Sequence, residues 1–168
     1  MKTPLFPHSY TDFFQFGYVV RDLTQAMELF SEKYGIKHYL EAVPLVNNVI
    51  ANGKIVEHNL LVSFANIGSQ QIELIQPIAD GSGTYSSHLA QTSPIFLHHL
   101  GCRFMEKARW DAFRSNLDTD LHPIAFENAD GNALFIYTNE LSTLGHHLEY
   151  MWLDDEASVM FDSIPQNC

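Results

Sequence analysis

Between Phe13 and Val20 the chain reads FFQFGYVV, an aromatic and β-branched run interrupted by one glutamine and one glycine. Such a run predicts a strand buried on at least one face. A helix is expected directly after it. Asp22 is set to cap the first turn with Gln25 three residues on, Leu23, Ala26, Met27, Phe30 and Tyr34 share one stripe, and Gly35 ends the element. Beyond Gly35 the pattern is that of extended chain: His38 to Val46, then His58 to Ala65 after a turn at Asn52-Gly53, then Gln70 to Gln76 after a turn at Gly68. The first half therefore reads strand, helix, strand, strand, strand.

Residues 77–94 form a Gly/Ser-rich linker with a short helix expected from about Tyr85 to Gln91, ended by Pro94. The same order then restarts. Ile95 to Phe104 (IFLHHLGCRF) predicts a strand, and Met105 to Leu117 carries Trp110, Phe113 and Leu117 at helical spacing. Strands are expected over His122 to Glu127, Ala133 to Thr138 and His146 to Trp152, the first two joined by a hairpin at Asp130-Gly131. GYVVRDLTQAMELF and GCRFMEKARWDAF align glycine on glycine and helix on helix. Two βαβββ modules, 13–76 and 95–152, are thus expected in one domain over 1–168. Neither module buries a sheet face alone, so the class is α+β, with the sheets paired into a cupped, partly closed mixed sheet and the helices outside. The tail, 153–168, is expected to cover a sheet edge or a dimer partner.

Charge narrows the function. Of 168 residues, 9 are Lys or Arg and 20 are Asp or Glu, a formal charge of -11. A chain without a basic cluster repels nucleic acid and anionic membrane surfaces alike. The amino terminus, MKTPLFPHSY, has no apolar run to serve as signal or anchor, and Cys102 and Cys168 have neither metal spacing nor a disulfide framework. A reducing cytoplasm is the expected compartment.

Four polar residues occupy matched places in the two halves. Gln15 stands two residues before Gly17, and His99 stands two before Gly101. Glu73 (QIELIQ) and Glu149 (HHLEYMW) each lie in the last strand of their half, with apolar neighbours of opposite parity. A carboxylate inside an apolar strand is costly to bury unless paired, protonated or bound to a metal. One nitrogen and three oxygens converging in a cup suit a divalent ion such as zinc, nickel, cobalt, manganese or iron.

The segments QFGYVVRDL, QIELIQP, SPIFLHHLGCRF and GHHLEYMWL resemble the signature strands of the vicinal oxygen chelate superfamily, which includes glyoxalase I, methylmalonyl-CoA epimerase, ring-cleaving dioxygenases and bleomycin-resistance proteins. The resemblance implies that Gln15, Glu73, His99 and Glu149 ligate one divalent metal ion. It implies an isomerase, epimerase or lyase that removes a proton next to a carbonyl of a small substrate, through a metal-stabilised enediolate. Glu149 is then the first candidate base and Glu73 the second; an epimerase is expected to have a second glutamate base, for which Glu41 and Glu57 are the candidates. A homodimer is a further expectation from the resemblance. Two other readings stand beside it: a metal-free small-molecule binding protein on the same fold, and an iron-dependent ring-cleaving dioxygenase, which calls for two histidines where only His99 holds a motif position.

Arg103 and His147 are the candidates for substrate contact. Arg103 shares strand parity with His99, and a structural ion pair competes with a role towards an anionic group. His147 shares parity with Glu149 and is expected at the pocket mouth. His98, of opposite parity to His99, is expected to pack towards the helices.

Overall fold

The computed structural model describes residues 13–89, 93–128 and 131–167. In the first half the elements are β1 (Phe13–Val20), α1 (Leu23–Tyr34), β2 (Val43–Ala51), β3 (Lys54–Ile67) and β4 (Gln70–Asp80). A short helix, α2 (Ser86–Leu89), precedes the second half: β5 (Ile95–Phe104), α3 (Lys107–Asn116), β6 (Ile124–Asn128), β7 (Ala133–Thr138) and β8 (His147–Leu153). Helix α4 (Asp155–Asp162) and β9 (Gln166–Asn167) follow. The amino-terminal MKTPLFPHSY and Gln91, Asp130 and Cys168, which figure in the expected linker helix, hairpin and cysteine inventory, lie outside the described residues.

Strands β1 and β5 run antiparallel at the centre, with β4 and β3 following on the β1 side and β8, β7 and β6 on the β5 side, in the order β2-β6-β7-β8-β5-β1-β4-β3. The sheet does not stop at a cup. Strand β2 pairs with β3 from Val43↔Val62 to Ala51↔Lys54 and meets β6 at Ile50↔Glu127, so a single chain closes the sheet into a barrel.

Local chemistry explains where the elements begin and end. Asp22 accepts a hydrogen bond from Gln25 N at 2.9 Å, and Gly35, at φ 74°, supplies the left-handed cap that ends α1. The extended pattern from His38 does not join the ladder until Val43. Asn167 Oδ1 accepts from the N–H groups of Lys37 and His38 at 2.8 Å each, and Leu40 N donates to Phe64 O at 2.8 Å, so these backbone groups are satisfied outside the β2 ladder.

The parity of the last strands sorts the layers. Leu74 and Ile72 pack with Leu23, Ala26 and Phe30 of α1, while Leu148 and Tyr150 pack with Cys102 and with Trp110 of α3. Both helices therefore lie outside the barrel. The interior is filled by a separate cluster that includes Val62, Phe64, Tyr85, Phe126 and Tyr137. The tail covers a strand edge: β9 adds in parallel to β3 at Asn66 and Ile67. No described helix is long and apolar enough to cross a membrane.

The turn between β4 and α2 hangs on Asp80. Its carboxylate accepts from Tyr85 N at 2.9 Å, Ser86 N at 2.8 Å, Gly83 N at 3.0 Å and the Ser82 and Ser86 hydroxyls at 2.9 Å each, and faces His58 Nε2 at 3.5 Å. Burial on its own would raise the Asp80 carboxyl, but these donors outweigh it and hold the group below its ordinary value. The stability this provides is present above the unfolded pKa of about 3.9 and is lost as pH falls through the folded value. Asp80→Asn is expected to cost about 1–3 kcal/mol in urea unfolding at pH 7. The difference from wild type should shrink below pH ~4, where the wild-type carboxylate is itself protonated.

Candidate functional site

Strands β1 and β5 cross with matched registers. Gln15 pairs with Gly101 and Gly17 with His99, so each polar side chain lies over the other strand's glycine. A Cβ on Gly17 would come within 1.9 Å of His99 Cε1, and one on Gly101 within 2.7 Å of Gln15 Oε1 and 3.3 Å of Glu149 Oε2. The outer neighbours repeat the symmetry: Gly17 pairs with Glu73 on β4, and Gly101 with Glu149 on β8. The duplication thus delivers two residues from each half to one point.

That point is His99 Nε2. It lies 3.1 Å from Gln15 Oε1, 3.2 Å from Glu73 Oε2 and 3.3 Å from Glu149 Oε2, and all four residues are buried. Among the described residues His99 is the cationic partner of both carboxylates. Burial is the largest influence on Glu73 and raises its carboxyl; His99 offsets part of the rise, and Glu149 adds to it. Burial would lower His99, yet the two carboxylates outweigh it and push the imidazole up to about 9.

One N–H facing three oxygens is a poor way to hold two buried carboxylates, since a single proton cannot serve three acceptors well. Glu149 Oε2 is left buried without a hydrogen-bond partner. Donors about 2.0–2.2 Å from a common ion at right angles stand about 3 Å apart, close to the separations found here. Glu73, His99 and Glu149 offer ligand atoms that all lie within 4.8 Å of one another, and Gln15 Oε1 joins them at His99 Nε2. The donor set therefore fits a divalent cation.

Neighbouring groups orient these donors. Gln15 Nε2 donates to Gln71 Oε1 at 2.8 Å, and Gln71 Nε2 donates to Asn66 Oδ1 at 3.2 Å, which turns the Gln15 oxygen inward. His99 Nδ1 lies 3.0 Å from His98 Nδ1. With His99 Nε2 acting as a ligand, its Nδ1 carries the proton and His98 accepts it. Burial first, then the surrounding histidines, holds His98 well below the ordinary imidazole value, so it is neutral and fit to accept.

The placement of His98 departs from strand parity. The β1–β5 register slips between Gly17↔His99 and Tyr18↔Leu97, and the bulge leaves His98 unpaired in the ladder. Its ring stacks on Tyr85 at 4.4 Å rather than against α1 or α3. His147 is no mouth residue: it is 1% exposed, with Nδ1 3.2 Å from Thr138 O and its ring 4.9 Å from His98. Arg103 donates to Ser158 Oγ at 2.7 Å and lies 5.5 Å from the centre of the Phe161 ring, so it braces α4 and does not line the cavity.

A cavity of about 360 Å³ opens on Gln15, Glu73 and Glu149. Its walls include Phe64, Phe126 and Tyr137 from the barrel and Met160 and Phe161 from α4, so the tail contributes to the site as well as to a strand edge. Tyr137, opposite Glu149 in register, lines the cavity beside that carboxylate. Gln71 and Tyr137 escape a reading by sequence alone. The available signal is that Gln71 precedes Glu73 by two residues, as His147 precedes Glu149, and both keep strand parity with the glutamate.

The family described as the Glyoxalase/Bleomycin resistance protein/Dioxygenase superfamily matches residues 14–131. The chain belongs to this superfamily. No curated protein sequence matches it. Among solved structures it resembles methylmalonyl-CoA epimerase from Mycobacterium tuberculosis, with 18% identity and a TM-score of 0.54 over 89% of this chain and 92% of that one. It also resembles a single-substitution variant of the Streptomyces coelicolor methylmalonyl-CoA epimerase in complex with 2-nitronate-propionyl-CoA, with 14% identity and a TM-score of 0.55 over 87% and 96%. A hypothetical protein of Bacillus halodurans aligns at 15% identity and a TM-score of 0.52 over 85% and 94%. At these identities the likeness is one of fold: a mixed sheet curled into a closed, barrel-like form from βαβββ units.

The crossing glycines provide a sharp test of this geometry. Gly17→Ala drives a methyl group into a ring that cannot bend away, whereas the atom nearest a methyl on Gly101 is the end of a flexible glutamine. Gly17→Ala is expected to abolish binding of a divalent cation and cost about 1–3 kcal/mol of stability, by overpacking. Gly101→Ala should do less in both respects. Titration calorimetry and thermal unfolding of the two variants compare them directly.

Proposed function

We propose that the chain is a divalent-metal-dependent isomerase, epimerase or lyase that removes a proton from the carbon beside a carbonyl of a small substrate. The observation that carries this reading is the set of three oxygens, from Gln15, Glu73 and Glu149, gathered 3.1–3.3 Å from His99 Nε2 at the base of a cavity. Superfamily membership supports it. Zinc, nickel, cobalt, manganese and iron all suit one nitrogen and three oxygens. A divalent ion held there would polarise the substrate carbonyl and stabilise the negative charge that proton removal places on its oxygen.

The chain's own groups do the rest. His98 holds His99 with Nε2 inward, and Gln71 holds Gln15 with its oxygen inward. Phe64, Phe126 and Phe161 keep water from the carbon that loses its proton. We assign the base to Glu149, whose carboxylate faces the cavity where the substrate carbonyl would sit. Glu73 is its counterpart in the other half and the second candidate. All four donors, from Gln15, Glu73, His99 and Glu149, come from a single chain. The cluster holds one imidazole with two carboxylates, whereas the iron site of a ring-cleaving dioxygenase takes two imidazoles and one carboxylate.

Protein purified without added metal is expected to carry a stoichiometric divalent ion by elemental analysis, and His99→Ala to lose it. In heavy water the wild type should exchange the α-proton of a subset of α-hydroxy and α-keto compounds followed by NMR. Glu149→Gln should slow that exchange about 10²–10⁴-fold, the usual contribution of a general base. A metal-free wild type that exchanges nothing would leave a binding protein on the same fold.

A further inference from the structure

The charge inside the cavity says what class of substrate it can accept. Its described lining contains two carboxylates, Glu73 and Glu149, and no lysine or arginine. The one imidazole on its described wall, His58, is held below its ordinary value by burial, against a smaller opposing pull from Asp80, and is neutral. Arg103, the arginine at this end of β5, is committed to Ser158 and Phe161 of α4. With a divalent cation on the two carboxylates the centre is electrically balanced. An anionic substrate would then bring an unpaired charge into a cavity that offers it no cation, and buried unpaired charge is strongly disfavoured.

The walls point the same way. Phe64, Phe126, Phe135, Met151, Leu153 and Phe161 surround the space beyond the carboxylates. The uncharged polar lining there includes the amides Asn47, Asn128 and Asn132 together with Tyr85 and Tyr137. Two of these spend a donor on the protein, Asn128 Nδ2 to Ala133 O at 3.0 Å and Asn132 Nδ2 to Glu156 Oε2 at 2.8 Å. The volume of about 360 Å³ falls at the small end of ligand pockets, which span roughly 300–1,000 Å³.

We propose that the substrate is an uncharged carbonyl compound with an aromatic or branched apolar substituent, carrying no carboxylate, phosphate or nucleotide group. The substituent occupies the phenylalanine-walled space, and the carbonyl and its neighbouring oxygen face Gln15, Glu73, His99 and Glu149. This deepens the proton-transfer reading and rests on it. Phe135 and Phe126 are then specificity-determining residues, and the overall charge of -11 works with the cavity against anionic compounds.

The test uses the full chain loaded with manganese or zinc and four probes: phenacyl alcohol, hydroxyacetone, dihydroxyacetone phosphate and a propionyl-CoA thioester. Binding is followed by ligand-observed NMR and chemistry by α-proton exchange in heavy water. Phenacyl alcohol is expected to bind roughly 10- to 100-fold tighter than hydroxyacetone, the value of burying a phenyl ring, and to exchange its α-protons. The phosphate and the thioester should neither bind nor exchange. Leu45→Lys, on an exposed position that lines the same cavity, should admit the phosphate ester where wild type does not. Exchange of the phosphate or thioester without preference for phenacyl alcohol would overturn the substrate class and leave the proton-transfer reading standing. Tight binding of phenacyl alcohol with no exchange of any probe would overturn the proton-transfer reading while supporting the neutral, apolar selectivity. Failure of phenacyl alcohol to bind better than hydroxyacetone overturns the proposal outright.

Discussion

Two carboxylates buried within 3.3 Å of one imidazole nitrogen impose the constraint that the rest of this structure meets. Buried charge is tolerated when it is paired and its lone pairs are satisfied. A protonated His99 supplies one charge and one well-directed N–H, which is too little for Glu73, Glu149 and the Gln15 oxygen together. A divalent cation supplies two charges and several open directions. The close crossing of β1 and β5 over Gly17 and Gly101 is what brings the four side chains so near, and the closed barrel is what keeps them from water.

Much of this was legible in the residues because a repeat and a period carry it. The glycine-on-glycine alignment marked the two halves as equivalent modules sharing one sheet, and strand parity turned Glu73 and Glu149 inward while sending Leu74 and Tyr150 to the helices. Parity failed where the ladder breaks. The bulge at His98 turns two consecutive histidines away from the outer helices, and no pattern of apolar and polar positions encodes a one-residue slip. Long-range contacts were equally hidden. Asn167 delays β2 by taking up backbone groups 129 and 130 residues away, and Ser158 draws Arg103 from the cavity to α4. Closure of the barrel within one chain depends on β2 reaching both β3 and β6, a tertiary fact without a local signature.

The acidic surface and the aromatic cavity act in sequence on whatever reaches the site. Surplus negative charge disfavours nucleic acids, anionic lipids and phosphorylated metabolites at a distance. At close range the absence of lysine and arginine from the described lining removes the means of compensating a negative group, while the phenylalanines reward apolar ones. The tail completes this arrangement: Met160 and Phe161 of α4 form part of the wall, so residues beyond the duplicated modules shape selectivity.

The most direct measurement is anomalous X-ray diffraction from crystals of the chain grown with zinc or cobalt. One strong anomalous peak is expected inside the barrel, bonded to Gln15 Oε1, Glu73, His99 Nε2 and Glu149, at about 2.0–2.2 Å from each. A barrel interior without a peak, with His99 bridging the two glutamates while metal sits only on surface carboxylates, would contradict it.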